Sequence, residues 1–134
     1  MSHENGERRQ KQRFLAVRDG KACFFLALEG KRIPLVDVSL EGFSIAADPA
    51  IVTGQPFEFE LRLTDIPDRI RGIAETVNQV ETADGNLVGL RFVSFGGEGF
   101  MRLHEWLTVL VIANATVRIT SKEAARIVEG PSLI

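Results

Sequence analysis

Two short clusters hold the side chains best suited to bind a ligand. Residues 9–13 read R-x-x-x-R with Arg8 directly before them, and residues 37–42 read D-x-S-x-x-G at the end of an apolar run. Closely spaced guanidinium groups favour an anion, so the first cluster predicts a local anion site. The alternative is a solvated tail followed by an ordinary turn, because Asp and Ser at a strand end bond nearby backbone amides.

The charge distribution agrees with a local site. The 134 residues carry 16 basic and 18 acidic side chains, a net charge of −2. Residues 1–13 carry +2, whereas the 12 basic and 16 acidic residues after them give −4. A protein that coats nucleic acid needs a positive surplus, so no nucleic-acid polymer is expected as partner.

Composition limits the class of protein. With 45% hydrophobic residues and this length, the chain is expected to form one globular domain. A single cysteine and two histidines exclude a disulfide framework and predict no metal site. No apolar run reaches the ~20 residues that span a bilayer, and no secretory signal is visible. We therefore expect a cytoplasmic protein without a membrane span.

The elements that must position these clusters are mostly short strands. Phe57–Leu63 alternates apolar and charged residues without a break, which predicts one face on a core. Further strands are predicted at residues 14–17, 22–28, 33–38, 43–46 and 70–80 and around residues 88–92. Gly72 is expected to mark a bulge or a bend.

The pattern changes to helical spacing after residue 97. A helix is predicted over residues 98–114, and its second half is apolar nearly all round. One face can cover the sheet, whereas Trp106, Val109 and Ile112 need another cover. We expect either the C-terminal tail or a second copy of the chain to supply it, the latter as a homodimer.

A second, shorter helix is predicted near the C-terminus. Thr120 and Glu123 have the spacing of a capping box, with the helix continuing through Val128. Gly130 and Pro131 then end it. The predicted organisation is a flexible basic arm at residues 1–13, a barrel with its helix at residues 14–115, and a tail with a short helix at residues 116–134.

Taken in order, the two clusters resemble the binding motifs of the PilZ domain family. The likeness places Arg9 and Arg13 in the first motif and Asp37, Ser39 and Gly42 in the second. A late strand followed by a helix is also similar to the end of that domain. The resemblance implies a six-stranded antiparallel β-barrel with a C-terminal α-helix, and a bacterial receptor for the second messenger cyclic di-GMP.

The chemistry of that implied ligand suits the five motif residues. Cyclic di-GMP carries phosphates and guanines, both of which a guanidinium binds in two places. The Asp37 carboxylate would accept from guanine N1–H and N2–H₂, and the Ser39 hydroxyl can donate and accept. Gly42 lacks a Cβ, so a ligand can approach its backbone closely.

The resemblance also implies how the signal is passed on. Arg8 lies where it could touch a second, intercalated ligand, so we expect up to two ligands per chain. We expect the arm to be mobile in the free protein and to become ordered on the barrel when the ligand binds, which would form a new surface for an effector protein. No catalytic set is recognisable, so no enzyme and no cofactor are predicted.

Two other functions remain open at this stage. A PilZ-like fold can serve as a protein–protein adaptor without binding nucleotide. Phenylalanine-rich strands are also typical of small barrels that bind oligonucleotides by base stacking.

Overall fold

A computed structural model of the chain describes residues 11–48, 51 and 54–131. It is mainly strands, and six of them form a closed antiparallel barrel, as the sequence predicts. The elements in chain order are β1 (Phe14–Leu15), β2 (Val17–Arg18), β3 (Lys21–Ala22), β4 (Phe24–Leu28), β5 (Lys31–Val38), β6 (Gly42–Ala46), β7 (Phe57–Leu63), β8 (Arg69–Thr82), β9 (Gly85–Phe95), α1 (Gly99–Asn114) and α2 (Ser121–Glu129).

The barrel closes because β5 pairs at both of its sides. The sheet runs β5-β4-β7-β8-β9-β6, and β6 pairs back on β5. Strand β1 adds to the end of β5, while β2 and β3 form a separate hairpin. Closure leaves the end of β5 beside both β1 and β6, which is where the second sequence motif lies.

Side-chain alternation fills the barrel. In β6, Phe43 and Ile45 are fully buried, and in β7 Phe59 and Leu61 are at most 3% exposed. Successive side chains of a strand point to opposite faces, so the residues between them lie on the outside of the barrel.

The prediction that Trp106 needs a cover other than the barrel is wrong. Trp106 is only 5% exposed and meets Phe24 edge to face, with ring centroids 6.0 Å apart. The barrel itself therefore covers Trp106, which is unavailable to a second copy. Val109 and Ile112 remain 47% and 38% exposed.

Helix α2 has the predicted cap. Thr120 Oγ1 accepts from the backbone N–H of Glu123, and the Glu123 carboxylate accepts from the N–H of Thr120. Ala124 and Val128 are its buried residues. Neither helix of the described ranges is long and apolar enough to cross a membrane.

Candidate ligand site

Strand pairing brings the two sequence motifs together. Phe14 pairs with Val38 and Leu15 with Asp37, so the residue before β1 lies beside the end of β5. There Arg13 Nη1 donates to Asp37 Oδ1 at 2.7 Å. Arg13 and Asp37 are half-exposed and partly buried, so the pair faces solvent on the outside of the barrel.

The turn between β5 and β6 is held by Ser39. Its hydroxyl oxygen accepts from the N–H groups of Glu41 and Gly42, at 3.0 and 3.3 Å. The Ser39 N–H donates to the Gly42 carbonyl at 2.8 Å, which closes the turn. Ser39 is only 1% exposed. In this conformation its hydroxyl shapes the turn that presents Asp37.

Gly42 is required by the fold at this position. It pairs with Arg91 of β9, and a Cβ built on it would overlap the backbone carbonyl oxygen of Leu90. The missing Cβ of Gly42 therefore allows β6 and β9 to approach closely, whereas the sequence predicts a close approach of a ligand.

The segment just before Arg13 is held between this turn and helix α2. The Lys11 N–H donates to Glu41 Oε1 at 2.9 Å, and Lys11 Nζ donates to the carbonyl of Glu129 at 2.8 Å. The Gln12 N–H donates to the carbonyl of Gly130 at 3.1 Å. Residues 11–13 are thus attached to the domain, although the sequence predicts them as part of a flexible arm.

A row of four paired residues crosses the outer face of the barrel. Asp37 pairs with Ser44, Ser44 with Gly89, and Gly89 with Asn78, so all four lie on one face. A Cβ on Gly89 would overlap Asn78 Oδ1, which places the Asn78 side chain across Gly89. We call these four residues the outer row.

Irregular pairing flanks the outer row at both ends. The register shifts in β5 between Leu35 and Asp37, and in β8 between Thr76 and Asn78. Each shift places an extra residue, Val36 or Val77, beside the row. Bulges of this kind re-aim side chains and are frequent next to binding sites.

Ser44 is the unusual member of the outer row. It faces outward between two core residues, yet it is only 7% exposed. Its hydroxyl has no hydrogen-bond partner among the residues that the structure describes. A buried hydroxyl without a partner is uncommon, because its desolvation is not compensated.

Formal charges around the site balance. The basic side chains are Lys11, Arg13 and Arg91, and the acidic ones are Asp37, Glu41 and Glu75. Two ion pairs join them, Arg13 with Asp37 and Arg91 with Glu75. The described part of the site therefore has no net attraction for an anion. A positive surplus would have to come from Arg8 and Arg9, which lie outside the described residues.

Sequence reasoning missed Ser44. The alternation Phe43-Ser44-Ile45 indicates a polar residue facing solvent, where water satisfies the hydroxyl. Its burial arises in the paired strands, next to the bulges of β5 and β8, and a local sequence pattern cannot predict it. Asn78 was missed for a related reason, since it lies within a long strand prediction with no motif of its own.

Two other reactive side chains serve the structure. Cys23 is buried in the core, and burial raises the pKa of its thiol despite the charge of Arg18, which keeps the thiol protonated and unreactive. His104 Nε2 lies 2.6 Å from Glu129 Oε2 and joins α1 to α2.

Comparison with known proteins adds little to this geometry. No family model matches the chain, and no curated protein matches it. A solved structure of an uncharacterized Legionella protein is similar, with 16% sequence identity and a TM-score of 0.48. The match covers 65% of this chain and 84% of that one.

Proposed function

We propose that this protein is a receptor for cyclic di-GMP that passes the signal to a partner protein. The observation that carries the proposal is the contact between Arg13 and Asp37. These residues belong to the two motifs on which the PilZ resemblance rests, and strand pairing brings them to one exposed surface. A cation and a carboxylate side by side suit a ligand with phosphate and guanine groups.

Binding would begin with an exchange of partners. The Arg13 guanidinium is engaged by Asp37 in the free protein, so a ligand phosphate must take it over. The freed Asp37 carboxylate then accepts from guanine N1–H and N2–H₂. The exposed ion pair contributes little to stability, so the exchange costs little. Ser39 supports both steps by holding the turn.

Arg8 and Arg9 would supply the charge that the described site lacks. In this proposal they fold over a ligand held at Arg13 and Asp37, with Arg8 touching a second ligand. Because residues 11–13 are already attached, ligand-dependent ordering concerns residues before Lys11. The surface formed by arm, ligand and barrel is the one that an effector protein would recognise.

Calorimetric titration with cyclic di-GMP tests the proposal, with GTP as the control ligand. We expect binding in the submicromolar to micromolar range that is lost in Arg9→Ala/Arg13→Ala. The matched control is Arg118→Ala/Arg126→Ala, which removes the same charge from positions outside the site. Equal affinity in both double variants would contradict the proposed site.

Arg8 and the number of ligands are tested in the same titration. Saturation at two ligands per chain, reduced to one by Arg8→Ala, is the expected result. Saturation at one ligand in the wild type would contradict the role given to Arg8. No heat and no shift in melting temperature at high concentrations of cyclic di-GMP would contradict the receptor function itself.

A second candidate function is that of a protein–protein adaptor. Helix α1 exposes Met101, Val109 and Ile112 on its outer side, with 69%, 47% and 38% of each residue accessible. Exposed apolar side chains on one helix favour a protein partner, which includes a second copy of the chain. Sedimentation of the wild type and of Val109→Asp/Ile112→Asp distinguishes these cases, since only a homodimer would dissociate in the variant.

A further inference from the structure

The hydroxyl of Ser44 is a buried polar group next to the proposed ligand site. Its strand neighbours Phe43 and Ile45 fill the barrel, so the Ser44 side chain points outward. There it lies opposite Asp37, whose Cα is about 5 Å away in an antiparallel pair. The hydroxyl is thus next to the proposed ligand-binding carboxylate and has no hydrogen-bond partner among the described residues.

The hydrogen-bonding groups along the edge of guanine match the carboxylate of Asp37 followed by the hydroxyl of Ser44. N2–H₂ and N1–H are donors, and the O6 acceptor follows directly beside N1. When a carboxylate accepts hydrogen bonds from N2–H₂ and N1–H, O6 lies just beyond the carboxylate and next to the neighbouring side chain. On the barrel that neighbour is Ser44, since the bulge in β5 sets Asp37 directly against it.

We propose that Ser44 donates its hydroxyl hydrogen bond to guanine O6 and so completes the recognition of the base that Asp37 begins. The inference rests on the proposed function and adds a residue that selects guanine. Asn78 lies across Gly89 and bounds the site on its far side.

Displacement of Arg13 gives the base its access. In the free protein the Arg13 guanidinium occupies Asp37 Oδ1. A base that takes over the carboxylate displaces that guanidinium toward the phosphate. Ser44 is the residue opposite Asp37 on the outer face, so its side chain lies next to the carboxylate that this movement frees.

A specific pair of effects is expected for Ser44→Ala. Loss of one neutral hydrogen bond weakens cyclic di-GMP binding by about 2- to 10-fold. The melting temperature of the free protein rises by a few degrees, because the variant removes a buried hydroxyl that has no partner. A residue with a purely structural role would not give opposite signs for affinity and stability.

Cyclic di-AMP supplies the specificity control. Adenine has an acceptor at N1 and no 2-amino group, so the Asp37 carboxylate cannot hold it in the orientation that brings position 6 of the base to Ser44. We therefore expect Ser44→Ala to lower the preference for cyclic di-GMP over cyclic di-AMP without weakening cyclic di-AMP binding. Ser94→Ala changes an exposed serine of β9 away from the outer row and should alter neither affinity nor melting temperature.

The outcomes separate this inference from the receptor function. If the wild type binds cyclic di-GMP and Ser44→Ala binds it with the same affinity, the role of Ser44 is overturned, whereas the receptor function is not. A wild type that binds no cyclic di-GMP overturns both. Ser44→Cys replaces the hydroxyl with a slightly larger and weaker donor, and its affinity should fall between those of serine and alanine.

Discussion

The Arg13 guanidinium donates to the Asp37 carboxylate across 24 positions of sequence, at 2.7 Å. Pairing of Leu15 with Asp37 produces this contact, because it fixes β1 beside the last residues of β5. Neither motif alone predicts the other's position. The contact joins two weak sequence signals into one surface that holds a cation beside a carboxylate.

The pair should contribute little to folding. Arg13 and Asp37 retain 47% and 26% of their side-chain exposure, so solvent screens the attraction. A double-mutant cycle with Arg13→Ala and Asp37→Asn, measured by urea denaturation, should give a coupling of about 0–1 kcal/mol. A coupling well above ~2 kcal/mol would make the pair part of the scaffold and would contradict its role as an exchangeable contact.

Gly42→Ala should destabilise the barrel. The added Cβ overlaps the backbone carbonyl oxygen of Leu90, and backbone cannot move aside as a side chain can. We expect the free energy of unfolding to fall by about 1–3 kcal/mol in urea denaturation. Gly96→Ala is the matched control, because its Cβ meets only the Arg71 carbonyl oxygen at 3.6 Å. Equal stability of the two variants would contradict the close contact between β6 and β9.

Thr120→Ala should loosen helix α2. The variant loses the hydrogen bond from the Glu123 N–H to the capping hydroxyl, at 3.1 Å, and the helix is only nine residues long. We expect a loss of about 1 kcal/mol and faster amide hydrogen exchange across α2. Ser121→Ala, one position inside the helix, serves as the control. If both variants exchange alike, the capping box does not hold the helix.

Acid stability should depend on Glu60. Burial alone would raise the pKa of its carboxyl, but hydrogen bonds from Arg62 and Arg71 and the charge of Arg69 lower it below 4.5. A carboxyl with a lowered folded pKa stabilises the fold above about pH 4.5, and this contribution is lost as pH falls through the folded value. Glu60→Gln should therefore be less stable than wild type at about pH 7, with the difference shrinking as the pH falls below about 4.5.

Unfolding curves at a series of pH values check this prediction. Glu58→Gln is the control, because it changes an exposed glutamate of the same strand. A Glu60→Gln deficit that stays constant from about pH 7 down to about pH 3 would rule out the titration of Glu60 as its cause.

The barrel was predictable because its signals are local. Alternation in β7 gave Phe57–Leu63 correctly, and the change to helical spacing gave α1 within one residue of its start. The capping box of α2 likewise needs only Thr120 and Glu123. Closure of the sheet was predicted from the PilZ resemblance, because hydrophobic periodicity indicates strands but not their order in a sheet.

The site was predictable only in part. Sequence placed Asp37 and Arg13 together through the resemblance, and it predicts a ligand contact for Ser39, whose buried hydroxyl accepts the hydrogen bonds that hold the turn in this structure. The second half of α1 is apolar on nearly every side, so the sequence does not indicate which face meets the barrel. Trp106 was predicted on an uncovered face, and its packing against Phe24 shows that the barrel covers it. Ser44 depends on register and bulges, which are properties of paired strands.

Lys11 and Pro131 form an isolated antiparallel β-bridge, so the first and last described residues of the chain lie side by side. A short peptide joining these two positions would cross only the width of one strand pair. Covalent ring closure would then remove freedom from the unfolded chain without bending the native one. The loop-closure model gives such a ring about 4–5 kcal/mol of added stability, which makes this domain a candidate for backbone cyclisation and for circular permutation at the Asp19-Gly20 turn.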